Sequence, residues 1–255
     1  EFVGDYRVTG FLGRGGMGLV YRAIDPRLGR PIAIKVIARR FANDPVVVAR
    51  FTEEARICSQ LQHPGIVPIH EIGRLDDGRS YFSMKVIDGE TLADLLQARA
   101  DASSDRARFV EIFRKTCQAM AYAHTSGVHH GDLKPGNIMI GAFGETQVLD
   151  WGFARRSADA DRDLDVEGEG EVMGTPAYMS PEQALGMARQ IGPRSDVFTL
   201  GGILCEILTG DPPYSGVSRH EVYTRASSGE LAEAQARLQA CGANSALVDL
   251  ARWCM

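Results

Sequence analysis

The 255-residue sequence has no apolar run approaching the roughly 20 residues that span a bilayer, so it offers no transmembrane helix. It has no excess of positive charge either: 28 Lys and Arg stand against 33 Asp and Glu, a net charge of −5. That balance gives no basic footprint for a phosphate backbone or an anionic membrane, so neither nucleic acid nor membrane contact by this segment is expected. The five cysteines, Cys58, Cys117, Cys205, Cys241 and Cys254, form no CxxC pair, and no His-x-x-x-His completes a zinc set. Scattered thiols of this kind fit a reducing cytoplasm. The first residues, Glu1-Phe2-Val3-Gly4-Asp5, lack the basic and apolar regions of a signal peptide, and the chain as given reads as soluble.

What is present is a chain that is 44% apolar, enough for one large domain or two small lobes. Val, Ile and aromatic residues between glycine-containing turns predict strands over 6–12, 19–24 and 31–38, then over 66–72 and 80–86, with an amphipathic helix over 45–61 between the two groups. After Asp88-Gly89 helical patterns take over, at 91–99, 106–126, 195–209, 219–228 and 246–255. The stretch 128–182 is dense in Gly, Pro, Asp and His and is too long for a simple connector, which points to functional loops. Within it, acidic residues recur at every second position from Asp159 to Glu171, the pattern of a solvated, mobile loop.

Three clusters carry chemistry. Gly13-Arg14-Gly15-Gly16-Met17-Gly18 matches G-x-G-x-x-G, in which glycines let backbone N–H groups approach phosphates. Leu19-Val20-Tyr21-Arg22 continues as strand, which favours a lid over ATP above a dinucleotide site, although a ligand-free hairpin would look the same. In Ala33-Ile34-Lys35, alternation puts Lys35 on the face opposite Ile34. Facing inward it needs an anion, with Glu53 or Glu54 of the next helix available; facing outward it is an ordinary surface lysine. The densest cluster is His129-His130-Gly131-Asp132-Leu133-Lys134-Pro135-Gly136-Asn137, then the strand Ile138-Met139-Ile140 and, further on, Leu149-Asp150-Trp151-Gly152.

In order, spacing and residue type these motifs resemble the eukaryotic-type (Hanks-type) Ser/Thr protein kinase catalytic domain, from Tyr6 to about residue 250, a family whose parts are established. The resemblance implies an α+β bilobal fold, with a small antiparallel N-lobe over 1–84, a hinge at 85–89 and a mainly helical C-lobe over 90–255. It also implies ATP and magnesium as cofactors and a protein substrate. Gly13, Gly15 and Gly18 resemble the phosphate-covering loop and Lys35 the strand lysine. Glu54 resembles its helix partner, because Phe51-Thr52-Glu53-Glu54-Ala55 aligns with the family's F-x-x-E-A. Asp132 resembles the catalytic base and Lys134 the residue that neutralises the moving phosphoryl group; Asn137 and Asp150 resemble the magnesium ligands. Val20 and Ala33 are implied on one face of adenine and Met139 on the other, with Met84, Lys85 and Ile87 as gatekeeper and hinge. Gly174 to Glu182 resembles the substrate-docking end of the activation segment, and Thr175 with Lys134 marks the Ser/Thr class. Asp196 resembles the aspartate that braces the catalytic loop.

The sequence also departs from the family. Gly131 stands where an arginine is common, which removes a partner for a phosphate on the activation segment. Together with the acidic run this predicts that phosphorylation between Ser157 and Ser180 orders nothing. Trp151 replaces the more frequent phenylalanine, and its bulk under the Glu54 helix predicts an inward Asp150. Ser180 replaces alanine before Pro181-Glu182. The arginine that pairs with the equivalent of Glu182 is missing, so the resemblance implies a trimmed catalytic domain of a longer protein. Gly15-Gly16-Met17-Gly18-Leu19-Val20-Tyr21 and His63-Pro64-Gly65-Ile66-Val67 look most like bacterial members, many of them anchored by a later membrane helix. A cytoplasmic segment of such a protein is the expectation. A nucleotide-binding pseudokinase scaffold is the competing reading, weakened by the intact Lys35, Asp132, Asn137 and Asp150. A small-molecule phosphotransferase is another, weakened by the docking segment.

Overall fold

Pro31-Ile32-Ala33-Ile34-Lys35-Val36-Ile37 is apolar on both faces, and it forms the inner strand of a sheet covered on both sides. In the computed structural model, which describes residues 2–156 and 174–255, the chain divides into two compact units, Glu1–Asp88 with Asp150–Gly152 and Gly89–Leu149 with Phe153–Met255. The acidic run from Asp159 to Glu171, and Ser157, lie outside the described residues.

The first unit is a six-stranded antiparallel sheet in the order β1-β2-β3-β4-β6-β5. Its strands are β1 (Phe2–Val3), β2 (Tyr6–Arg14), β3 (Gly18–Ile24), β4 (Pro31–Ile37), β5 (Ile69–Arg74) and β6 (Ser80–Lys85). β5 starts three residues later than the pattern suggests. Pro68 has no N–H to give a ladder, and its carbonyl instead accepts from Lys85 N at 3.1 Å, so Ile66 and Val67 are buried ahead of the strand. Helix α1 (Pro45–Gln60) starts at Asp44, whose carboxylate accepts from Val46 N at 3.0 Å and Val47 N at 3.2 Å, with Pro45 preset for the first turn. Helical spacing then puts Phe51, Glu54, Ala55 and Cys58 on one buried face. Phe51 packs on Phe82 of β6 with ring centroids 5.0 Å apart. The sheet and α1 share a cluster of Ile37, Phe51, Ala55 and Phe82, and this fixes the helix that carries Glu54.

The second unit is mainly helical. It contains α2 (Leu92–Ala98), α3 (Arg106–Thr125), α4 (Pro181–Ala184), α5 (Pro193–Thr209), α6 (Arg219–Ser228), α7 (Ala232–Ala240) and α8 (Ser245–Cys254). Short strands join them: β7 (Gly89–Thr91), β9 (Ile138–Gly141) and β10 (Thr146–Val148) form one small sheet, and β8 (Val128–His129) pairs with β11 (Arg155–Arg156). α5 is apolar almost all round and buries Phe198, Leu200, Ile203, Leu204, Ile207 and Leu208, which makes it the axis on which α3 and α8 pack. It is bounded by Pro193 at its first position and by Gly210, whose φ of 95° gives the left-handed cap. Thr91 caps α2 in a reciprocal box with Asp94, so the helix predicted from 91 starts one residue later. α7 has no counterpart in the sequence reading. It buries only Ala234 and Leu238, too thin a stripe to show as a helical period.

Candidate active site

In the first unit, β4 places Lys35 opposite Val20 of β3 and Phe82 of β6. Its ammonium donates to Glu54 Oε1 at 2.6 Å and Oε2 at 2.8 Å, and to Asp150 Oδ1 at 3.2 Å. Lys35 and Glu54 are 6% and 5% exposed, so each charge depends on the other for what water would otherwise supply. Burial alone would lower the Lys35 pKa; the carboxylates of Glu54 and Asp150 more than reverse this and hold it well above the usual lysine value, so the group stays a cation. Glu53 has no part in this pairing and instead lies 3.7 Å from Arg56. Asp150 adopts a left-handed backbone, φ 57°, that turns its carboxylate to Lys35 while leaving the side chain 37% exposed. Trp151, next in the chain, is buried at 1% exposure. Cys58, on the Glu54 face of α1, has its thiol pKa pushed far up by burial and by the Glu54 carboxylate, so it is an inert neutral group.

The glycine loop closes over this cluster. A Cβ at Gly18 would meet the Val36 carbonyl oxygen at 2.3 Å, so only glycine lets β3 come this near β4. A Cβ at Gly15 would lie 3.9 Å from Lys35 Cε, which places the loop over the lysine stem, whereas Gly13 faces open space. Ala33 is buried and Val20, Met84, Lys85 and Ile87 are half-buried. Lys85 N–H is committed to Pro68, so any ligand contact from its main chain must use the carbonyl.

In the second unit the chain leaves β8 into a tightly held loop. Asp196, 2% exposed at the start of α5, accepts from His130 N at 2.8 Å and Gly131 N at 3.0 Å, with His124 Nε2 2.8 Å from the same carboxylate. Burial works to raise the Asp196 pKa, but the bond to His124, the His130 ring and the two amides outweigh it and hold it below the usual carboxylate range. Asp132 N donates to His130 Nδ1 at 3.3 Å, which puts the ring proton on Nε2, 2.9 Å from the Leu149 carbonyl. Gly131 has φ +79°, and a Cβ there would sit 2.7 Å from the Phe153 carbonyl oxygen. Any side chain at this position would be strained.

Asp132, 7% exposed, ends up in a three-way arrangement. Lys134 Nζ donates to Asp132 Oδ2 at 2.6 Å and to Thr175 Oγ1 at 2.9 Å, and Thr175 donates to Asp132 Oδ1 at 3.0 Å. Asn137 Nδ2 donates to the Asp132 carbonyl at 2.8 Å, so its amide oxygen is the end left for a cation. Met139 is half-buried on β9. Nothing in the sequence reading picked out Gln183, whose Nε2 donates to the Gly131 carbonyl at 2.7 Å. The Ser180-x-x-Gln183 spacing of a helix cap was the available signal.

Residues 6–255 match the family model described as "Protein kinase domain", and the chain belongs to that family and has its bilobal fold. Among characterised relatives it is 39% identical over 216 residues to serine/threonine-protein kinase PknB of Mycobacterium tuberculosis, covering 84% of this chain and 34% of that protein. It is 40% identical to PknB of Mycobacterium leprae over 216 residues, with the same coverage, and 39% identical to PknA of M. tuberculosis over 217 residues, covering 84% of this chain and 48% of PknA. The chain thus spans about a third of PknB and about half of PknA.

Proposed function

We propose that this chain is the catalytic part of a bacterial Ser/Thr protein kinase, which moves the ATP γ-phosphoryl group onto a protein Ser or Thr hydroxyl. The observation that carries the reading is the triangle of Asp132, Lys134 and Thr175: a buried carboxylate beside a cation and a hydroxyl. Asp132 accepts the proton of the substrate hydroxyl, and Lys134 offsets charge on the phosphoryl oxygens as it moves. Lys35, locked by Glu54, holds the α- and β-phosphates under the Gly13, Gly15 and Gly18 loop. By the family pattern, Val20 and Ala33 of the first unit and Met139 of the second are assigned to the adenine faces, and Met84, Lys85 and Ile87 to its edge, with 85–89 as the hinge.

For magnesium, the family pattern assigns Asp150 in the first unit, which offers a half-exposed carboxylate, and Asn137 in the second, which offers an amide oxygen; both are hard donors of the kind that ion takes. Bound there, the ion would neutralise phosphate charge. Gly174 to Glu182 docks the substrate. No helix among the described residues is long and apolar enough to cross a membrane; a cytoplasmic segment, with any membrane anchor outside it, is part of the proposal.

Incubation with ATP, magnesium and a generic basic protein, followed by phosphoamino-acid analysis, tests the proposal. Phosphoserine or phosphothreonine that disappears on chelating the metal is the expected product. ATP binding without transfer would instead favour the scaffold.

A further inference from the structure

We propose that Gln183 is a positioning residue for phosphoryl transfer, one that sets Asp132 in place by holding the Gly131–Asp132 peptide; this rests on the catalytic reading of Asp132 given above. Gly131 contributes no side chain, and its left-handed backbone gives the loop no packing of its own. The direction of Asp132 therefore depends on how the main chain is tied. The amides of His130 and Gly131 go to Asp196. The peptide leading into Asp132 is held at both ends: its N–H by His130 Nδ1 at 3.3 Å and its carbonyl by Gln183 Nε2 at 2.7 Å. Turning that plane would swing the Asp132 carboxylate, and Gln183 is the side chain that holds its carbonyl end.

The amide of Gln183 cannot be turned the other way. Its Oε1 accepts from Ser180 N at 3.2 Å and Ser180 Oγ at 3.1 Å, which leaves Nε2 to face Gly131. Both side chains are buried, Gln183 at 5% and Ser180 at 1% exposure, and ordering a long glutamine there costs rotamer entropy that a surface cap would not require. Ser180, which stands where the family pattern has alanine, thus acts as the lock on the glutamine.

A role in capping α4 alone makes the opposite prediction, which gives the test. Glutamate is a standard third residue of such a cap and suits a helix N-terminus, so Gln183→Glu should satisfy Ser180 and keep the fold. A carboxylate, however, has no proton to give the Gly131 carbonyl. The measurement is steady-state kinetics of this chain with ATP and a basic protein, for the parent, Gln183→Glu and the near-isosteric Gln183→Met, with thermal unfolding in parallel. Positioning predicts a kcat lower by about 100-fold in both variants with KM for ATP little changed, the scale of effect for a small misplacement of a catalytic group. It further predicts that the Gln183→Glu to parent kcat ratio climbs as pH falls from about 8 to about 6, because a buried carboxyl regains a proton there and can donate again, while Gln183→Met shows no such recovery. Gln183→Met faces the same neighbouring groups, Asp132, His124, His129, His130 and Asp196, without a carboxyl of its own and controls for them. Parent-like kcat in either variant, or a Gln183→Glu loss that ignores pH, would overturn the inference. An Asp132→Asn control keeps the two readings apart: turnover surviving in that control is a failure of the catalytic assignment, and not of Gln183.

Discussion

Lys35→Met is expected to lower kcat/KM by about a thousandfold, the scale seen when one preorganised charge partner of a transition state is removed. The same change leaves Glu54 and Asp150 facing each other with no cation between them. Glu54 is fully enclosed, so the single variant should also lose about 3–5 kcal/mol of stability, the usual cost of breaking a buried pair from one side. Combining Lys35→Met with Glu54→Gln separates the two effects. The double variant should regain most of the stability in a urea melt and none of the activity. Recovery of turnover with stability would show that Lys35 is a structural partner only.

The second large effect belongs to Asp196. Asp196→Ala removes the acceptor for two buried amides, and each orphaned donor costs about 1–3 kcal/mol. The loop that carries Asp132 should then lose its place, with activity falling along with stability. Asp196 also shapes the acid limb. Its folded pKa is below that of an unfolded aspartate, so the stability it contributes is fully present above a pH of about 4 and is lost as pH falls through the folded value. His129 acts at a higher pH. Burial lowers its pKa, so it is neutral in the fold and its contribution fades as pH drops below about 6.5. Denaturant melts between neutral and acid pH should show both steps, and Asp196→Asn should remove only the lower one.

How far the sequence reveals this arrangement depends on the range of each cue. The pairing of Lys35 with the next helix follows from strand alternation plus the need of an inward cation for an anion, and the family pattern then picks Glu54 over Glu53. The helix expected over 106–126 was legible from its long apolar face, which buries Phe109, Ile112, Phe113, Ala119, Met120 and Ala123, and the one over 219–228 from its local ends, Ser218 accepting from Glu221 N and Gly229 closing it. α7 was not, since two buried residues make no period. The start of β5 was misplaced because a proline redirected one backbone hydrogen bond. For Gln183 the cap spacing from Ser180 was readable but its role was not: its partner is a main-chain carbonyl 52 residues away, which no side-chain pattern records. The same holds for the His130 ring, whose bond to the Leu149 carbonyl reaches across 19 residues.

The central claim is that Asp132, held by Lys134 and Thr175, is the base for phosphoryl transfer to a protein hydroxyl. Asp132→Asn keeps the size and most of the hydrogen bonding of the group while removing its capacity to take a proton. Phosphate transfer from ATP to a basic protein, measured beside nucleotide affinity for the parent and this variant, is the most direct test. The account predicts unchanged nucleotide affinity with transfer lowered by at least about 100-fold; transfer at the parent rate in Asp132→Asn would contradict it.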